Sequence, residues 1–270
     1  MNTAVTHAAR TTIRNRPLRF FARVGFAVNG LLHALIGFIA IGVAIGAGPG
    51  GGEADQSGAL AALAATPGGS VILWIVFVGL TALGLWLIAG CFAFTGRGTP
   101  RRALRIVSEI GKGLVYLALA ATAFVFARGG ATNSAQTSVQ LSASLLATPG
   151  GVFLIVLIGL LIIVIGAYFI VKGARRSFVR DLTLPRGTAG KVTVGLGTFG
   201  YVAKGLVLAV VGILFLVAAA TANPGQSSGL DGGLKALVAL PMGSVLLIVM
   251  AIGLIAYALY SFVRARYAHL

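Results

Sequence analysis

Three copies of one pattern, each a pair of hydrophobic segments long enough to cross a bilayer, make up most of the 270-residue sequence. A short turn containing proline precedes the second segment of every copy, at Pro67, Pro149 and Pro241. A second mark recurs in the first segment of each copy: Asn29-Gly30-Leu31, Lys112-Gly113-Leu114 and Lys204-Gly205-Leu206. Repetition on this scale determines the architecture before any local pattern is considered. It does not indicate a function.

The six hydrophobic segments are predicted to be transmembrane helices. Each has about 20 apolar residues, which at 1.5 Å per residue matches a hydrocarbon core of about 30 Å. A backbone in lipid must satisfy its own hydrogen bonds, so segments of this length are helical. Only 10% of the residues are charged, whereas soluble domains have about 25%. The predicted spans cover about 24–46, 70–94, 107–127, 151–172, 195–221 and 244–263.

The repeat register divides the chain into a basic tail at 1–18 and repeats at 19–97, 98–176 and 177–270. Each repeat contributes an even number of spans, so all three copies are expected to be parallel. The predicted fold is an all-α integral membrane protein whose three two-helix repeats are related by a pseudo-threefold axis.

The first, third and fifth connections between the spans, here called the odd connections, resemble one another. Each ends in an Ala/Leu-rich segment before the proline, with leucines at helical spacing. We therefore expect three short helices at the outer membrane interface. These segments are 59–65, 141–147 and 234–239.

The distribution of charge predicts the orientation in the membrane. The chain has 21 Lys and Arg against 5 Asp and Glu, a formal charge of +16. Seventeen of the basic residues lie in the two tails and the even connections, whereas the odd connections hold only Arg128 and Lys235. The positive-inside rule therefore places both termini in the cytoplasm. We expect anionic lipid headgroups as partners at that side, a membrane protein as a further partner class, and no binding of nucleic acid.

A candidate polar cluster lies near the cytoplasmic ends of the odd helices: Asn29, His33, Glu109, Lys112 and Lys204. In one interpretation these side chains converge on the axis and bind an anion, a lipid headgroup or a proton. In the other, which we favour, the lysines extend to the headgroups, Asn29 bonds a neighbouring helix and His33 is packed in its neutral form. Glu109 is expected to pair with Lys112 or Lys204.

Small residues predict the helix-packing surfaces. Gly30 and Gly37 lie seven residues apart, as do Gly205 and Gly212, and Gly113 occupies the matching position of the middle repeat. Seven residues are close to two turns, so each set opens one side of its helix to backbone contact with another helix.

Aromatic residues recur nineteen positions after each proline, as Trp86, Tyr168 and Tyr260. That depth lies toward the cytoplasmic interface, where amphipathic rings anchor helices. We therefore expect the three residues to be membrane anchors.

The inventory of reactive residues is poor. The connections contain no paired carboxylates for acid–base work, no Ser/His/Asp set and no metal-ligand spacing. Cys91 is the only cysteine, so an intrachain disulfide is impossible. We therefore expect a protein that is not an enzyme and has no catalytic residues, no metal site and no cofactor.

The motif Gly25-Phe26-x-x-Asn29-Gly30-Leu31 is mirrored by Gly200-Tyr201-x-x-Lys204-Gly205-Leu206. It resembles the bacterial membrane family known only as domain of unknown function twelve-oh-six, a mainly actinobacterial family with three two-helix repeats. The resemblance covers about 19–267, and the middle copy departs from it because Ser108-Glu109 replaces the Gly-aromatic pair. It implies a location in the bacterial plasma membrane and supplies no activity to transfer.

Two classes of function follow from these observations. The leading prediction is a multi-pass membrane protein that acts without catalysis by binding lipid or a partner membrane complex. The alternative is a small channel or transporter for an ion or small solute along the pseudo-threefold axis, because charged residues within membranes often mark translocation routes.

Overall fold

The computed structural model describes residues 16–46, 53–93 and 100–268. Most of the predicted basic tail at 1–18 lies outside these residues. The described part is built from α-helices, joined in two connections by short 3-10 helices at Ser177–Asp181 and Pro224–Ser227. The α-helices in chain order are α1 Arg16–Ala44, α2 Gln56–Ala64, α3 Gly69–Ala93, α4 Pro100–Ala127, α5 Ser134–Leu146, α6 Gly151–Ala174, α7 Thr188–Thr221, α8 Gly229–Val238 and α9 Gly243–Tyr267.

Six of these helices are long and apolar enough to cross a membrane, which confirms the predicted all-α membrane architecture. The candidate spans are Arg23–Ala44, Gly69–Cys91, Ile106–Ala127, Gly151–Ala174, Thr188–Thr221 and Gly243–Tyr267.

Helix α7 begins two turns earlier than the hydrophobic segment predicted from residue 195. It starts after Gly187, whose φ of 71° only glycine adopts readily, and residues 188–194 contain no proline to interrupt it. Its 34 residues correspond to a length of about 50 Å, which exceeds a hydrocarbon core of about 30 Å. Part of α7 therefore extends beyond the hydrocarbon.

The short helices of the odd connections differ in what their leucines contact. Leu60 and Leu63 on α2 and Leu234 and Leu237 on α8 are all buried, whereas Leu141 on α5 is 59% exposed. The leucines of the first and fifth connections therefore pack inside the protein rather than facing lipid. The helical spacing of the leucines did not predict whether they face lipid or pack against other parts of the protein.

The chain divides into two compact units. The first contains Met1–Asn29, Leu63–Ala131 and Ser261–Leu270, and in it α3 packs along α4. Their backbones approach closely at Gly84 and Gly113, where a methyl group added to either glycine would lie 2.9 Å from the other's carbonyl oxygen. Phe26, Leu83 and Ala268 form an apolar cluster in the same unit.

The second unit contains Gly30–Ala62 and Thr132–Tyr260, and in it α6 packs along α7. A methyl group added to Gly166 would lie 2.7 Å from the carbonyl oxygen of Gly205, and one added to Gly159 would lie 3.0 Å from that of Gly212. We call such a line of glycine contacts between two long helices a glycine seam. Larger side chains at these positions would force the helices apart.

Candidate functional site: charged and aromatic side chains within the helices

Glu109 and Lys112 form an ion pair within the first unit. They lie one turn apart on α4, and the Lys112 Nζ is 2.7 Å from the Glu109 Oε1. The lysine side chain is 41% exposed and the glutamate 23%. Of the two partners considered for Glu109, the structure therefore gives Lys112. A partly exposed pair of this kind contributes about 0.2–1 kcal/mol.

Lys204 is held by aromatic rings in the second unit. Its Nζ lies 4.4 Å from the ring centroid of Tyr257 and 5.2 Å from that of Phe169. An ammonium group over a ring face is stabilised electrostatically, by about 0.5–1 kcal/mol at exposed sites and more where water is excluded. No described carboxylate forms an ion pair with Lys204, and the rings compensate its charge instead.

His33 contacts the same tyrosine as Lys204. The His33 and Tyr257 ring centroids are 4.8 Å apart at an interplanar angle of 54°, and His33 is 8% exposed. Asn29, on the part of α1 that belongs to the first unit, is 6% exposed. The structure thus brings together two subsets of the candidate polar cluster, Glu109 with Lys112 and His33 with Lys204 around Tyr257.

Tyr257 belongs to a buried aromatic cluster in the second unit, which was missed from the sequence. Phe178, Tyr201, Tyr257 and Tyr260 are buried together, with ring centroids 5.2 Å apart for Phe178 and Tyr201 and 5.1 Å apart for Phe178 and Tyr260. Phe178 comes from the 3-10 helix that follows α6, so the cluster fixes this connection against α7 and α9. The available signal was a set of apolar residues in an arginine-rich connection: Phe178, Val179 and Leu182.

The predicted membrane anchors have different environments. Tyr168 is 50% exposed, as expected of an anchor, but Tyr260 is 0% exposed. Trp86 is partly buried against the Phe26 cluster. The prediction is therefore wrong for Tyr260, because the aromatic side chains of neighbouring elements enclose it.

Polar contacts link the three odd connections within the second unit. The Ala54 N–H donates to the Asp231 Oδ1 at 2.8 Å, and the Ser134 N–H donates to the Ser57 Oγ at 3.1 Å. Asp55 caps the start of α2 by accepting from the Gly58 N–H at 2.9 Å. We call Ala54, Asp55, Ser57, Ser134 and Asp231 the connection lock. Sequence spacing gave no sign of it.

The lock carries charge as well as hydrogen bonds. Asp231 is 6% exposed, and its Oδ2 lies 2.8 Å from the Lys235 Nζ one turn along α8. A buried carboxylate that accepts an N–H and pairs with a lysine makes charge-assisted bonds, which are stronger than neutral ones. Among the described residues, no group of three or more His, Cys, Asp or Glu side chains could hold a metal ion.

Comparison with known proteins identifies the family. The model of the Domain of Unknown Function family DUF1206 matches residues 24–92, 107–176 and 199–268. The "Uncharacterized protein YxxB" of Bacillus subtilis (strain 168) is 32% identical over 259 residues, which cover 94% of this chain and 92% of that protein. No solved structure matches the chain. With three family matches, each covering most of two long helices, this multi-pass membrane protein belongs to the DUF1206 family.

Proposed function

We propose that the protein is a non-enzymatic component of the bacterial plasma membrane that acts by binding lipid at its cytoplasmic side. The observation that carries this proposal is the local compensation of charges within the long helices. Lys112 pairs with Glu109 at 2.7 Å, and Lys204 lies over the rings of Phe169 and Tyr257. These charges are stabilised without a transported ion, so they serve packing and contact with headgroups.

Recurring glycine contacts support a closely packed arrangement of three equivalent repeats. A methyl group added at Gly37 would lie 2.7 Å from the Ile255 Cγ1, and one added at Gly212 would lie 2.6 Å from the Ile163 Cγ1. Ile163 and Ile255 each follow their repeat's proline by fourteen residues. The same repeat positions thus meet in two different helix pairs, as the proposed pseudo-threefold relation requires.

A channel or transporter is the second candidate, and buried polar residues within the spans favour it. Asn29 and His33 are 6% and 8% exposed, and polar residues inside a membrane protein often line a solute or proton path. The other alternative to lipid binding is that the protein binds a second membrane protein.

Purified protein in liposomes separates these candidates. We expect no ion or solute flux above protein-free vesicles, together with anionic lipid retained on the protein through purification. Flux that the Glu109→Gln/Lys112→Met double variant abolishes would overturn the proposal in favour of a channel or transporter. Stoichiometric recovery of a membrane protein, with no lipid retained, would overturn it in favour of a partner-binding component.

Thiol labelling tests the proposed orientation. Ala65, Ala147 and Ala239 are exposed, and each lies two residues before its repeat's proline. Cysteines placed there one at a time, in a Cys91→Ala background, should all react with an impermeant reagent added outside the cell. Ser177→Cys, in an even connection, should react only after permeabilisation. Any other labelling pattern would contradict either the threefold topology or the cytoplasmic position of the termini.

A further inference from the structure

A groove of about 720 Å³ lies beside the first turns of α7, in the second unit. Its walls come from the connection after α6 and from one side of α7. Gly187 and Gly195 line it, and a methyl group added to either would meet no atom within 4 Å. The groove is therefore open at these glycines. The side chains used below are Arg176, Lys191, Val194, Phe199 and Val202.

Two basic side chains in the groove lining have no acidic partner among the described residues. Arg176 and Lys191 are exposed, and neither forms an ion pair within the described residues. Asp181, in the same connection, is already engaged by Lys172 at 2.7 Å. The N-cap residue of α7, Gly187, has no side chain to cap the first N–H groups, and the positive end of the helix adds to this charge. An anion is the ligand that complements these two basic side chains.

Part of the groove lining is apolar. Val194, Phe199 and Val202 follow one another along α7, and Phe199 is 41% exposed. Because α7 is about 50 Å long and its hydrophobic segment begins at residue 195, we assign its first two turns to the part that extends beyond a hydrocarbon core of about 30 Å. With this assignment the groove begins at headgroup depth, where phosphate lies, and continues toward the acyl chains. A soluble anion would satisfy Arg176 and Lys191 but would leave this apolar wall uncovered.

We propose that this groove binds an anionic phospholipid, with the phosphate between Arg176 and Lys191 and an acyl chain along Val194, Phe199 and Val202. The inference rests on the proposed lipid-binding function and names the site and the ligand class. The surrounding basic connection attracts anionic membranes in general, at about 1 kcal/mol for each Lys or Arg near the surface. The groove adds a defined position for one lipid.

The charge test uses the purified full-length protein in neutral detergent, with binding of phosphatidylglycerol measured by native mass spectrometry. Arg176→Gln/Lys191→Gln should weaken binding by about tenfold or more, because it removes both proposed charge-assisted hydrogen bonds to the phosphate. Arg175→Gln/Arg180→Gln removes the same charge from the same connection but leaves the groove lining unchanged, so it acts on the lipid only through screened long-range charge and should change binding less than about threefold. Equal losses in the two double variants would overturn the site.

The steric test leaves the charge unchanged. Gly195→Leu should fill the groove without disturbing the fold and should abolish the tightest phosphatidylglycerol binding. Gly111→Leu is the control, because Gly111 lies in α4 and a methyl group added there also meets no atom within 4 Å. Retention of tight binding by Gly195→Leu, or equal loss in both variants, would refute the site.

Two further outcomes separate this inference from the proposed function. Retained binding in the Gly195→Leu variant would leave the lipid-binding function standing and remove only the groove. No phosphatidylglycerol binding by the unaltered protein would remove both. Inorganic phosphate at the lipid's concentration should not displace the lipid, and full displacement would assign the groove to a soluble phosphate instead.

Discussion

The glycine seam between α6 and α7 predicts opposite effects for one substitution made at two places on the same helix. In Gly205→Ala the added methyl group would lie 2.5 Å from the Gly166 carbonyl oxygen and 2.8 Å from the Ile170 backbone nitrogen. Both atoms belong to the backbone and cannot rotate away, so the helices must separate. In Gly195→Ala the methyl group meets no atom within 4 Å.

The expected difference in stability follows from comparing the two variants. Replacing glycine by alanine inside a helix gains about 1 kcal/mol in helix propensity, and this gain is common to both. Crowding at the seam costs about 1–3 kcal/mol when a methyl group is forced into a packed site. The common gain cancels in the difference. Gly205→Ala should therefore be about 1–3 kcal/mol less stable than Gly195→Ala, and Gly195→Ala should be at least as stable as the unaltered protein.

Unfolding by sodium dodecyl sulfate in mixed micelles, followed by far-ultraviolet circular dichroism, measures this difference at equilibrium. Gly166→Ala is a second probe of the same seam, because its methyl group would lie 2.7 Å from the Gly205 carbonyl oxygen. Equal midpoints for Gly205→Ala and Gly195→Ala would show that the backbones are not in close contact, and the seam would have to be abandoned.

Three other predictions concern charged groups. Lys112→Met should lower the free energy of unfolding by less than about 1 kcal/mol, since the pair with Glu109 is partly exposed. A larger loss of stability that Glu109→Gln rescues would reveal a buried, coupled site. Lys204→Met should lose about 0.5–2 kcal/mol of ring contact while Lys204→Arg retains it, and equal melting temperatures for the two would contradict the ring contacts. Asp231→Ala should leave the Ala54 N–H without its acceptor at a cost of about 1–3 kcal/mol. Faster amide exchange at residues 53–58 would report that loss, and unchanged exchange would exclude it.

The sequence predicted those features that depend on neighbouring residues. Six spans could be identified because hydrophobicity over about 20 residues is a local property. Glu109 and Lys112 could be paired because three residues separate them on one helix. The connection lock joins Ala54 to Asp231, 177 residues apart, and no periodicity shows such a contact. The environment of Tyr260 was mistaken for the same reason, since the residues that bury it come from distant helices.

The connection lock makes the three repeats unequal, although the glycine contacts of α3 with α4 and of α6 with α7 use equivalent repeat positions. It takes a serine hydroxyl from the first connection, a backbone N–H of Ser134 from the third and the Asp231 carboxylate from the fifth. A trimer of identical two-helix subunits would have to place the same side chain in all three connections. Fusion into a single polypeptide removes that constraint, so donor and acceptor can be assigned to different copies. A chain assembled from three copies of any one repeat would lose the lock.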